Sequence, residues 1–191
     1  MFDYLIKNAT LVDGLGGAPK AGDLAIKDGV IAEIGTISGQ AKETINAEGA
    51  YAAPGWVDVH THYDGQVSWD DVMDPSFSHG VTSVVMGNCG VGFAPCPPGG
   101  EQRMIELMEG VEDIPGTALY EGIEWGRWET FPEYIDYLGT REYTLDIGTQ
   151  VPHSAVRNYV MGERALRHED ATAEDLSAMA AIVQGALEAG A

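Results

Sequence analysis

Hydrophobic positions follow two different rhythms along the chain. From Tyr4 to Ile45 they come in short runs, Leu5-Ile6, Thr10-Leu11-Val12, Asp23-Leu24-Ala25-Ile26 and Val30-Ile31-Ala32-Glu33-Ile34, separated by turn-forming residues. Runs of this length, rich in β-branched residues and bounded by Gly, Asp and Asn, predict strands. Lys27-Asp28-Gly29 predicts a tight hairpin turn between the last two, because Asp-Gly tolerates the positive φ angles that such a turn requires. The expectation is a small antiparallel β unit.

Beyond Ala53-Pro54-Gly55 the rhythm changes. Trp56-Val57-Asp58-Val59-His60-Thr61-His62 alternates apolar and polar, which predicts a strand with Asp58, His60 and His62 on one side. Val81 to Met86 is a largely apolar run, broken only by Thr82 and Ser83, as expected of a buried parallel strand. A helical stretch surrounds Arg103 to Met108, and Tyr143 to Val151 predicts a third strand that stops at Pro152-His153. Thr172-Ala173-Glu174-Asp175 resembles a capping box, with Leu176, Met179, Ala180, Val183 and Leu187 at helical spacing and Gly190 as a stop. Strands alternating with helices predict a parallel α/β sheet, so the expected domains are 1–52 (β) and 53–191 (α/β).

Composition narrows the partners. Thirty acidic against ten basic side chains give a formal net charge of -20. Such a surface repels phosphate backbones and anionic lipid, so neither a nucleic acid nor a membrane partner is expected. The opening residues lack a basic leader, and no apolar stretch reaches the roughly 18 residues that span a bilayer. A cytoplasmic, soluble protein is the expectation. Cys89 and Cys96, the two cysteines, are too few for a disulfide framework; free thiols, or one metal thiolate, fit better.

Four residues stand where strands end. His60 and His62 fall at the C-terminal end of the first α/β strand, the end at which β/α barrels gather their catalytic groups. Taken alone, His-x-His fits a metal site or two polar residues at a strand end. Cys89 closes the second strand in the same way. Its sulfur is either a zinc ligand or a small buried hydrophobe. His153 ends the third strand and reads as a substrate contact or a hydrogen-bonded loop histidine. Cys96, in a Pro- and Gly-rich loop, reads as a structural thiol; His79 as a helix end; His168 as solvated. Trp125, Trp128, Phe131, Tyr134 and Tyr137 suit core packing better than the wall of an acyl pocket.

The run His60-Thr61-His62-Tyr63-Asp64 followed by Gly87-Asn88-Cys89-Gly90 resembles the N-acyl-D-amino-acid deacylase (D-aminoacylase) family of the amidohydrolase superfamily. The likeness continues through Met108-Glu109-Gly110-Val111-Glu112-Asp113-Ile114-Pro115, Trp128-Glu129-Thr130-Phe131-Pro132-Glu133-Tyr134 and Met161-Gly162-Glu163-Arg164. It implies an α/β fold in which a small β-sandwich-like domain precedes a (β/α)8 TIM-type barrel, incomplete in this chain, with the first three barrel strands in 53–191. It implies zinc held by His60, His62 and Cys89, with the cysteine in the role that many amidohydrolases give to a carboxylated lysine. The reaction implied is hydrolysis of the amide bond of a small-molecule N-acyl-D-amino acid.

A closed barrel of this type takes about 250 residues. The resemblance implies a strand-end aspartate as the proton carrier, expected beyond Ala191, so no catalytic general base is expected within the chain, and the chain by itself would be inactive. The open edge at the third strand would favour self-association. Two further readings remain: a cyclic-amide hydrolase of the dihydropyrimidinase or hydantoinase type, in which a lysine is expected where Cys89 stands, and a non-catalytic α/β binding module.

Overall fold

Leu5 and Ile6 are adjacent in sequence and lie on opposite faces of a sheet, and this alternation organises the first part of the molecule. The computed structural model describes residues 1–112 and 114–191, so Asp113, within one of the motifs above, lies outside the described residues. The chain divides into two units, Met1–Gly55 and Trp56–Ala191.

In the first unit, β1 (Phe2–Leu11), β2 (Lys20–Lys27), β3 (Val30–Gly35) and β4 (Ala41–Asn46) order as β3-β2-β1-β4, with β5 (Tyr51–Ala52) also on β1. Asp28 and Gly29 close the β2–β3 hairpin with φ of 52° and 77°, as the Asp-Gly pair predicts. One face buries Leu5, Ala25 and Ile37, with Phe2 and Ala41 against them. On the other face, cross-strand pairing sets Ile34, Leu24, Ile6 and Ile45 side by side across four strands. The unit is not purely antiparallel: β4 and β5 both run parallel to β1. The polar sequence Ala41-Lys42-Glu43-Thr44-Ile45-Asn46 carries too little alternation to announce β4, and its pairing with β1 decides the structure.

In the second unit, β6 (Trp56–Asp58), β7 (Val81–Met86) and β8 (Asp146–Thr149) form a parallel sheet with β7 in the middle. Between β7 and β8 come α1 (Glu101–Glu112), α2 (Gly116–Gly122) and α3 (Phe131–Leu138); α4 (His153–Met161), α5 (Glu163–Leu166) and α6 (Ala173–Ala189) follow β8. The core joins Val84 and Met86 of β7 to Phe93, Met104, Met108, Leu119, Trp128, Phe131 and Tyr134. No helix among the described residues is long and apolar enough to cross a membrane.

The aromatic cluster is core, and it also ties down a loop. Trp128 Nε1 donates to the Phe93 carbonyl at 2.8 Å, and the hydroxyls of Tyr134, Tyr137 and Tyr143 donate to the carbonyls of Asp64, Ser68 and Val67. Burial raises the Tyr134 hydroxyl well above the usual tyrosine range, so it remains a donor at any working pH. These bonds fix the chain that leaves His62.

Helix α6 begins at the predicted capping box, with Thr172 and Asp175 exchanging bonds, and stops at left-handed Gly190. Its packed face differs from the expected stripe. Asp175 and Ala186 are buried and Met179 and Ile182 half-buried, whereas Leu176 and Leu187 are 59% and 61% exposed. The helix is apolar on more than one side, so spacing alone does not pick the side that meets α3 and α4.

Candidate metal centre

The first α/β strand is shorter than its alternation suggests, and this shapes the site. Pairing ends at Asp58, whose Oδ1 accepts from the His60 N–H at 3.2 Å. A side chain that captures a backbone donor two residues on draws the chain out of the ladder into a turn. His60 and His62 therefore sit in the loop after β6 rather than on the strand as expected. Thr61, between them and buried, returns to β7: its N–H and its Oγ1 both donate to the Val85 carbonyl, at 3.0 and 2.9 Å.

Cys89 lies in the turn that leaves β7, in a short 3-10 segment Asn88–Gly90. Gly87 takes φ 80° with its Cα packed on Gln150; a Cβ there would meet the Gln150 carbonyl oxygen at 2.2 Å. Cys89 itself has φ 54°, an uncommon setting for a residue with a side chain. Asn88 Nδ2 donates to the Val85 carbonyl at 2.9 Å. This turn brings the thiol back over the histidine loop.

Cys89 Sγ lies 3.3 Å from His60 Nε2, and the two imidazole centroids are 5.4 Å apart. One ligand atom from each of His60, His62 and Cys89 falls within 4.8 Å of the others. Zinc with Zn–N of about 2.0 Å and Zn–S of about 2.3 Å sets adjacent tetrahedral ligand atoms roughly 3.5 Å apart. The Cys89–His60 distance matches that spacing, and two imidazoles and one thiolate are the donor types that zinc takes up, so the residues present fit the ion.

His153 stands elsewhere than predicted. It is the first residue of α4 rather than the end of a strand, because β8 stops at Thr149 and Pro152 leads directly into the helix. It is exposed and lines a cavity of about 340 Å³ with Ser154, Arg157 and His168. It nonetheless neighbours the thiol turn, since a Cβ on Gly90 would meet the His153 Cβ at 3.3 Å.

Cys96 belongs to the core, where burial, and secondarily the nearby Glu101, push its thiol up to about 12. It is not part of the cluster. His79 ends a 3-10 turn with Nδ1 2.7 Å from the Pro75 carbonyl oxygen, and His168 is exposed. Thr61, Asn88 and the Val85 carbonyl are the parts of the site that sequence reasoning passed over. Only the Gly-flanked Asn88, a residue type that suits turns, offered a signal.

Residues 43–191 match the family model described as "Amidohydrolase family". D-aminoacylase of Alcaligenes xylosoxydans xylosoxydans is 32% identical over 191 residues, covering 100% of this chain and 36% of that protein. A solved D-aminoacylase structure, described in terms of a binuclear metal centre, superposes with a TM-score of 0.81 at 31% identity, over 100% of this chain and 37% of that one. N-acyl-D-glutamate deacylase of Bordetella bronchiseptica, solved with zinc and a phosphonate mimic of the tetrahedral intermediate, gives 0.72 at 29% identity, over 98% and 36%. The chain thus spans about a third of the length of the relatives it matches.

Proposed function

Because this chain belongs to the amidohydrolase family, we propose that it supplies the zinc-holding part of an N-acyl-D-amino-acid deacylase. In this reading 1–52 is the N-terminal part of a β-sandwich-like domain and 53–191 the opening of a (β/α)8 barrel. The observation that carries it is the approach of Cys89 Sγ to within 3.3 Å of His60 Nε2, with His62 completing the group. Relatives that act on N-acyl-D-amino acids and a neighbour solved with zinc support the substrate class and the metal.

His60, His62 and Cys89 hold the ion. Zinc, when bound, polarises a carbonyl and lowers the pKa of water, which is the chemistry amide hydrolysis needs. Asp58 turns the chain so that both imidazoles leave the strand together. The tyrosines of and after α3 hold the loop beyond His62 in place. His153, beside the thiol turn, contacts the substrate. No general base is assigned within residues 1–191, so any turnover by this chain falls far below the 1–1000 s⁻¹ usual for enzymes.

The experiment is a side-by-side equilibrium dialysis of the zinc-loaded chain against N-acetyl-D-methionine, its L enantiomer and a hydantoin, following the amount of each compound bound. Binding confined to the D-N-acyl compound, and lost in Cys89→Ala, is expected. Preference for the L enantiomer or for the hydantoin would overturn the assignment.

A further inference from the structure

The Val85 carbonyl is an unusually crowded acceptor. It takes the Thr61 N–H at 3.0 Å, the Thr61 hydroxyl at 2.9 Å and the Asn88 side-chain amide at 2.9 Å. A carbonyl oxygen has two lone pairs, so three donors on one atom mark a junction rather than a routine ladder bond. The donors come from the two segments that matter. Thr61 sits between His60 and His62, and Asn88 immediately precedes Cys89.

We propose that Thr61 and Asn88 are positioning residues that set the distance between the imidazole pair and the thiol by anchoring both segments to the Val85 carbonyl. This rests on the metal-holding role proposed above for His60, His62 and Cys89. Apart from the Thr61 N–H bond, both segments lie outside the strands: the histidines lie past the end of β6, and Cys89 lies past the end of β7 in a left-handed conformation. Asn88 also reaches toward the histidine loop, with Nδ2 3.4 Å from the Val59 carbonyl. On its other side, Gln150 Nε2 approaches Asn88 Oδ1 at 3.5 Å.

The two side chains are separable from the sheet itself. The pairing of β7 with β6 and β8 is made by backbone groups, and Thr61 retains its own N–H bond to Val85 when its hydroxyl is removed. Loss of the side-chain bonds should therefore loosen the ligand geometry before it unfolds the unit. Groups that orient metal ligands from outside the ligand set typically cost about 10- to 100-fold in metal affinity when removed.

The test uses the 191-residue chain and cobalt(II) as the probe, because a cysteine thiolate on cobalt gives a near-ultraviolet charge-transfer band. Wild type, Thr61→Val, Thr61→Ser and Asn88→Ala are titrated with cobalt and competed with zinc, and the metal-free Tm of each is measured. Thr61→Val and Asn88→Ala are expected to weaken binding about 10- to 100-fold and to diminish the thiolate band. Their metal-free Tm should fall by no more than about 4 °C, and Thr61→Ser should restore wild-type binding. Wild type showing the band while both variants bind equally well overturns this inference alone, as does a loss of affinity that only tracks a collapsing Tm. Wild type with no thiolate band overturns the metal-centre reading, and this inference with it. If Asn88→Ala does not fold, the Thr61 pair decides.

Discussion

Cys89 Sγ and His60 Nε2 face each other at 3.3 Å although 29 residues separate them in the chain. Two adjacent parallel strands deliver them, and each leaves its strand through a side-chain-directed turn: Asp58 capturing the His60 N–H, and Asn88 capturing the Val85 carbonyl. The two thiols of the molecule consequently live in opposite surroundings.

That contrast predicts their reactivity. Cys89 is exposed, whereas Cys96 is buried with its thiol pushed up to about 12. Thiolate is the nucleophile in alkylation, so Cys96 should be inert near neutral pH. Mass spectrometry after iodoacetamide at pH 8 should find one adduct, on Cys89, and two after denaturation. Zinc should protect Cys89.

Gly87 is expected to tolerate no side chain. Its φ of 80° sets a left-handed backbone, and any Cβ added there would come within 2.2 Å of the Gln150 carbonyl oxygen. The first costs about 1–2 kcal/mol and the second about 1–3 kcal/mol. Urea unfolding of Gly87→Ala should show about 3 kcal/mol lost, together with weaker metal binding, because Gly87 lies between β7 and Cys89.

The start of α6 should make the protein acid-sensitive in one window. The hydrogen bond from Arg164 at 2.6 Å, reinforced by the Thr172 N–H, lowers the Asp175 carboxyl to about 2 from its ordinary 3.8. A carboxyl depressed in the folded state binds its proton more readily when unfolded, so its contribution is complete above about pH 4 and lost as pH falls toward 2. Thermal unfolding of Asp175→Asn should show a lower Tm than wild type at pH 7, with the difference shrinking between pH 4 and 2.

The two faces of α6 should respond differently to substitution. Ala186 is fully buried and Leu187 is 61% exposed. Ala186→Leu should cost about 1–3 kcal/mol through overpacking, and Leu187→Gln should stay within about 0.5 kcal/mol, by urea denaturation.

These cases show what a sequence pattern can and cannot encode. The Asp28-Gly29 hairpin, the apolar β7 run and the Thr172–Asp175 cap were legible because each is a local signal with a local cause. The side of α6 that packs, the parallel partnership of β4 and the crowding at Val85 were not, because each depends on a segment distant in sequence. The candidate ligands themselves, His60, His62 and Cys89, could be named from the sequence. Their release from regular strand structure could not, since Asp58 reads as an ordinary strand residue until its carboxylate is seen on the His60 N–H.

In the proposed centre His60, His62 and Cys89 share one ion. X-ray absorption at the zinc edge, on protein dialysed after loading with one equivalent, tests it most directly. A shell containing one sulfur at about 2.3 Å and imidazole nitrogens at about 2.0–2.1 Å is expected, with the sulfur absent in Cys89→Ser. A shell of nitrogen and oxygen alone in the wild-type protein, or zinc lost on dialysis, would contradict it.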